Sequence, residues 1–189
     1  MDRRQQKTRE AIFNALTRLL SEKKFSQITI QELIDEANIG RSTFYSHFET
    51  KDELIEALCS HVFDQLLAIA RKDVKKYGIK NSMETLNVMF VSILKQISKP
   101  RRSIIHILST ENRYLFIGYF KEGVRDMIEE ITSKNGDIRA SRLPDDYIVD
   151  CLAINFVETM QWWFASGQNE SIQELSQYYN TIVKSILEN

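Results

Sequence analysis

A chain of 189 residues, 43% of them hydrophobic and with a formal net charge of -1, can bury a real core, either as one domain or as a small module joined to a larger one. Only 6 Gly and 2 Pro punctuate it, which excludes the turn-rich pattern of all-β folds and favours long helices. The opening Met1-Asp2-Arg3-Arg4-Gln5-Gln6-Lys7 lacks a signal peptide's apolar stretch and no later run approaches the roughly 18 apolar residues of a membrane span, so an all-α, cytoplasmic protein with no membrane partner is expected.

The charge is unevenly placed. Residues 1–51 hold nine Lys/Arg against seven Asp/Glu, leaving the remainder net negative. Arg3, Arg4, Lys7 and Arg9 cluster before the first helix is well under way, which suits a phosphate backbone and equally suits a solvated terminus.

Ile12, Leu16, Leu19 and Leu20 recur at i, i+4, i+7 and i+8, predicting a first helix from about Arg4 to Lys23 with one apolar stripe. A second helix should start after Thr29, where Glu32 completes a Thr-x-x-Glu capping box and Ile28 can staple onto Leu33. It should end near Asn38, a residue that tolerates the left-handed backbone of a tight turn. A short third helix follows over Arg41 to Phe48, burying Phe44 and Phe48 at i, i+4 and exposing Arg41, Ser42 and Tyr45. A second capping box, Thr50-Lys51-Asp52-Glu53, opens a long fourth helix with Leu54, Leu58, Val62, Leu66 and Ile69 on one stripe.

Two short helices joined by Asn38-Ile39-Gly40 and braced by a longer one match a helix-turn-helix, whose second member enters the major groove. Residues 8–58 also resemble the N-terminal domain of TetR-type transcription regulators. Phe25, Thr29, Ala37, the Thr43-Phe44-Tyr45 triplet, His47-Phe48 and Lys51 carry that likeness. It implies a helix-turn-helix domain at 1–51 and an effector-binding and dimerisation domain at 52–189, with about nine helices in all. The roles implied agree with the residues' own chemistry. Arg41 can fork onto guanine, Ser42 and Thr43 can reach base edges or phosphate, and Tyr45 and His47 can donate to phosphate oxygens. Lys51 presents charge to the same backbone, and Thr29 begins helix two where the family touches phosphate. The chain departs from the family at Gly40, where Ser usually caps the recognition helix, at Asn38 in place of Gly, and at Ser42 in place of a small residue.

Further on, Asn81-Ser82-Met83-Glu84 reads as a helix start, and Pro100 as a first-turn proline after the Leu86 to Ile97 segment. Pro144 with Asp145 and Asp146 opens a segment apolar on nearly every face. The last helix begins at a Ser171-Ile172-Gln173-Glu174 box. TetR-like proteins place an effector cavity among the middle helices and dimerise through the last two. The resemblance therefore points to Trp163, Ile172, Leu175, Tyr179, Ile182 and Ile186 as a homodimer seam, with a plain core as the other reading of the same spacing. Phe63, Phe90, His106, Tyr114, Phe120 and Trp162 are the effector-pocket candidates, with Phe116 and Tyr119 beside them, most of them expected to be ordinary core. The Trp162-Trp163 stretch also resembles a subgroup common in low-G+C Gram-positive bacteria.

No catalytic, cofactor or metal site is expected. There is no Gly-x-Ser-x-Gly elbow, phosphate-cradling glycine loop or His-Glu-x-x-His, and Cys59-Ser60-His61 places its two ligand types about 200° apart on a helix. Cys59 and Cys151 read as free thiols. The expected partners are double-stranded DNA bearing a palindromic operator, a second copy of the chain, and an unidentified small-molecule effector that releases a repressor. The alternative is a DNA-bound interaction factor of the same fold without small-molecule control.

Overall fold

The computed structural model describes residues 3–98, 113–135 and 143–187, without the side chains of 113–116. Among the described residues there are eight α-helices and no strand. They are α1 (Arg3–Glu22), α2 (Ile30–Ala37), α3 (Arg41–Tyr45), α4 (Lys51–Tyr77), α5 (Ser82–Ile97), α6 (Arg113–Asn135), α7 (Asp145–Ala165) and α8 (Ile172–Leu187), with a 3-10 turn at Phe25–Gln27. Pro100 and His106 lie outside the described residues.

Side-chain caps set four of the eight helix starts. Thr29 Oγ1 accepts from the Glu32 N–H at 3.2 Å while the Glu32 carboxylate accepts from the Thr29 N–H at 2.8 Å, the reciprocal box the sequence predicts. Asn38 ends α2 at φ 52°, ψ 52°, in the left-handed region that Asn tolerates. Ser171 and Glu174 form a second complete box, and Asn81 caps α5 through the Glu84 N–H at 2.8 Å. At α4 the box is only half made. Thr50 accepts from the Glu53 N–H, but the Glu53 side chain reaches one residue further back, to the Glu49 N–H at 2.7 Å.

One length differs from expectation. The third helix is five residues rather than the eight of Arg41 to Phe48, because the chain turns at Ser46 and His47 so that Phe48 can follow Phe44 into the core. The basic residues of the N-terminus sit on α1 itself, which begins at Arg3.

The N-terminal module closes over Phe13, Phe44 and Phe48, with ring centroids of the first and last 5.9 Å apart. Arg18 joins α1 to α2 through Glu36 at 2.8 Å, and Lys23 pairs with Glu32. α4 runs on without a break into the second unit, where it packs on α5 and α6, and α7 and α8 complete the bundle. The centre of that bundle is aromatic. Phe63 meets Phe120 edge-on at 5.3 Å, Phe90 meets Phe156 edge-on at 4.9 Å and stacks on Tyr179 at 4.2 Å.

Several residues placed on a dimer seam by spacing belong to this core. Leu175 and Tyr179 are fully buried within the chain, and the Tyr179 phenol, raised above its ordinary pKa by burial, finds no hydrogen-bond partner among the described residues. Trp163 is 4% exposed and donates its indole N–H to the Glu170 carbonyl at 2.8 Å, whereas Trp162 is 49% exposed. The two tryptophans thus exchange their expected places. Neighbours on a helix point about 100° apart, so only one of the pair can face inward. The same periodicity leaves the all-round apolar α7 half covered, with Tyr147, Ile154 and Trp162 outside.

Candidate functional site

Of the seven residues proposed for DNA, Thr29, Arg41, Ser42 and Tyr45 are exposed and Thr43, His47 and Lys51 half-buried, at the cap of α2, on α3 and the turn after it, and at the start of α4. Gly40 caps α3 in an extended conformation without a side chain, and Phe44, fully buried, anchors the five-residue helix so that its polar side faces out. The Tyr45 ring stands edge-on to Phe44 at 5.6 Å, which holds the phenol at the surface. The arrangement puts an arginine, two hydroxyls and a phenol on the outer side of the second helix of the motif.

Three side chains have work inside the protein, and only the capping role of Thr29 could be read from the sequence. Lys51 Nζ donates to the carbonyls of Phe25 and Ile28, each at 2.8 Å, and lies 4.5 Å from the Phe25 ring centroid. It ties the 3-10 turn to the start of α4, which gives it a structural role. Thr29 Oγ1 donates to the Glu32 carboxylate at 2.9 Å, so its proton is engaged by the cap. Arg9 lies 5.3 Å and 4.9 Å from the Phe13 and Phe48 ring centroids, which ties it to the hydrophobic core rather than to a free basic cluster.

One residue on this surface was missed. Gln31, on the outer face of α2, accepts from Arg41 Nη2 at 2.8 Å and donates to Asp35 at 2.8 Å. The i, i+4 spacing of Gln31 and Asp35 was visible, but its partner across the turn lies ten residues away.

The Glu32 carboxylate is held at a pKa of about 2, against an ordinary 4.5, by Lys23 first and then by the backbone and hydroxyl of Thr29. Cys59 is the opposite case, a thiol pushed up to about 12 by burial.

In the second unit a groove of about 320 Å³ opens between α4 and α6. Phe63, Leu67, Tyr119 and Met127 give it apolar walls, and five carboxylates, Glu56, Asp64, Glu122, Asp126 and Glu130, face one arginine, Arg71, which pairs with Glu130. Gly123 lets the helices approach here, since a Cβ on it would come within 2.4 Å of the Phe63 ring. Of the pocket candidates, Phe63 and Tyr119 line this groove, while Phe90 and Phe120 are buried in the aromatic centre and Trp162 is outside. His106 and the side chains of Tyr114 and Phe116 lie outside the described residues.

Comparison with known proteins agrees with this architecture. Residues 12–58 match the family described as bacterial regulatory proteins, tetR family, and residues 84–185 match one described as transcriptional regulator C-terminal region. A TetR transcriptional regulator from Streptococcus agalactiae 2603V, of solved structure, is 32% identical, with 96% of each chain covered and a TM-score of 0.67. FadR from Bacillus subtilis, solved with stearoyl-CoA, shares the fold at 15% identity and a TM-score of 0.69, covering 92% of this chain and 96% of its own. The transcriptional repressor KstR2 of Mycobacterium tuberculosis strain H37Rv is 23% identical over 175 residues, 87% of this chain and 85% of that protein. Other curated relatives match in part only: the uncharacterized regulator YxbF of Bacillus subtilis is 28% identical over 116 residues, 59% of this chain but 28% of its own length. A Haemophilus influenzae regulator, also uncharacterized, is 39% identical over 64 residues, 34% of each. With an N-terminal and a C-terminal regulator model matched in order, and a TetR regulator alike over nearly the whole length, the chain belongs to the TetR family of transcriptional regulators.

Proposed function

We propose that this protein is a homodimeric repressor that grips a palindromic operator through two copies of α3 and is released by a small-molecule effector. The observation that carries the reading is α4. One unbroken helix of 27 residues starts at Lys51, locked into the helix-turn-helix, and passes Phe63, Leu67 and Arg71 on the wall of the groove. A ligand that binds better to one setting of that helix would move the two recognition helices off the roughly 34 Å separation of adjacent major grooves.

On the operator, Arg41 is the base reader, Ser42 and Thr43 serve base edges or phosphate, and Tyr45 and His47 hold phosphate oxygens. Lys51 and Thr29 contribute chiefly by fixing the frame. The dimer forms through the uncovered outer side of α7 and α8, where Trp162 and Tyr178 stand 6.2 Å apart and Ile154 and Ile182 are exposed. Ile172 and Ile186, half-buried, edge that face.

FadR's bound ligand is not carried over. A coenzyme A thioester is a polyanion, and five carboxylates against one paired arginine would repel it from the α4/α6 groove. A second reading, an interaction factor without small-molecule control, draws on the aromatic filling of the bundle centre by Phe63, Phe120, Phe156, Phe90 and Tyr179.

The test is a gel shift of the purified protein on the DNA flanking its own gene, at several salt concentrations and with unlabelled competitor. A specific, salt-steep complex of two chains per site is expected. Compounds that raise the protein's melting temperature are then added. The repressor reading requires that some of them weaken the complex; tight binders that leave operator affinity unchanged would favour the interaction factor, because a ligand without differential affinity shifts nothing.

A further inference from the structure

We propose that Gln31 and Asp35 of α2 form a relay that presets the Arg41 guanidinium, making α2 as well as α3 a determinant of base preference. The proposal rests on the reading of Arg41 as a base contact. Arg41 is the first residue of α3 and follows the glycine cap at Gly40. Its orientation comes from across the turn, where Nη2 donates to Gln31 Oε1 at 2.8 Å.

Gln31 in turn is fixed by Asp35, whose carboxylate accepts from Gln31 Nε2 at 2.8 Å. This settles which way the amide points. Turned over, it would set N–H against the guanidinium N–H groups and oxygen against the carboxylate, so both partners select the same orientation. Asp35 is exposed, and a lone acid on a surface that docks on DNA would oppose binding. Holding Gln31 gives that charge a purpose.

The relay leaves Arg41 competent to read. A guanidinium has five N–H groups and Gln31 takes one, so a two-pronged approach to the acceptor edge of guanine is still available. An arginine free in solvent loses much of its rotational freedom when it docks on a base; one already held loses less, and the difference appears as discrimination at that base pair. Phosphate contacts elsewhere are untouched, so affinity for unrelated DNA should not depend on the relay.

The experiment uses the full-length protein and a pool of randomised duplexes. Wild type, R41A, Q31M, D35N and the double variant Q31M/R41A are each selected on the pool. Each is then measured on the wild-type-selected duplex and on an unrelated duplex across salt. All five should melt alike, because the three side chains are exposed. R41A should relax one base position. Q31M should relax that same position and weaken the selected duplex by roughly three- to tenfold, about what one ordinary exposed hydrogen bond is worth, with the unrelated duplex and the salt slope unchanged. D35N should follow in the same direction, and Q31M should add nothing in the R41A background. A Q31M loss of equal size in both backgrounds would make Gln31 an independent DNA contact and overturn the relay. So would a Q31M profile identical to wild type. R41A without effect at any base would remove the Arg41 reading itself, and the relay with it.

Discussion

At the residue scale, the helix-turn-helix depends on two charged groups that do not need DNA to be useful. Lys51 holds two backbone carbonyls and a ring face, so Lys51→Ala should destabilise the protein by about 2 kcal/mol in chemical denaturation, the range for hydrogen bonds to a charged group. Its effect on operator binding should track the loss of folded protein rather than a reduced salt slope. A Lys51→Ala variant as stable as wild type, yet with a shallower salt dependence, would restore the phosphate role. Glu32 gives a pH signature. Its carboxyl sits near 2 in the fold against an ordinary 4.5, so the stability it contributes is complete above about pH 4.5 and is lost as pH falls toward 2. Thermal melts of wild type over that interval should fall more steeply than those of Glu32→Gln, which has no proton to take up. Parallel slopes would mean that the Lys23 and Thr29 contacts do not hold the charged form.

At the element scale, the contact of α4 with α6 is set by a glycine. An Ala at 123 would thrust a methyl into the Phe63 ring, which is 8% exposed and packed edge-on against Phe120. Overpacking of this kind costs about 1–3 kcal/mol, against a helix-propensity gain of about 1 kcal/mol for replacing Gly. Gly123→Ala should therefore lower the melting temperature, and Phe63→Leu in the same chain should recover part of the loss, since it removes the atoms that clash. Additive losses would show that α4 and α6 do not close on this pair. The helix starts were legible because Thr29, Asn81 and Ser171 meet their partners within three residues. The role of Lys51 was not, because its carbonyls lie 26 and 23 residues away and only folding brings them near. The α2–α3 link of Gln31 to Arg41 was hidden for the same reason.

At the scale of the whole molecule, the bare side of α7 and α8 is the feature the bundle leaves unfinished. Trp162→Glu puts a charge at its centre without touching the core, so the variant should fold, sediment as a monomer, and bind operator DNA far more weakly than wild type while keeping its melting curve at high dilution. A dimeric Trp162→Glu would send the interface elsewhere. The all-α class and the two-part organisation could be read from period and caps, and family likeness supplied the division of labour. Which aromatic residue faces inward could not be read from α7, whose sequence is apolar all round, so the spacing could not tell that Trp163 is buried and Trp162 exposed.

The adjacent tryptophans carry one more consequence. Trp163 is sealed in an apolar setting and Trp162 stands in water beside Tyr178, so the two indoles report different surroundings from neighbouring positions in the chain. Excited-state indole emits at longer wavelength in water than in an apolar site. If the proposed dimer covers Trp162, its emission should shift to the blue while that of Trp163 stays put, an intrinsic optical gauge of association readable by dilution without any label.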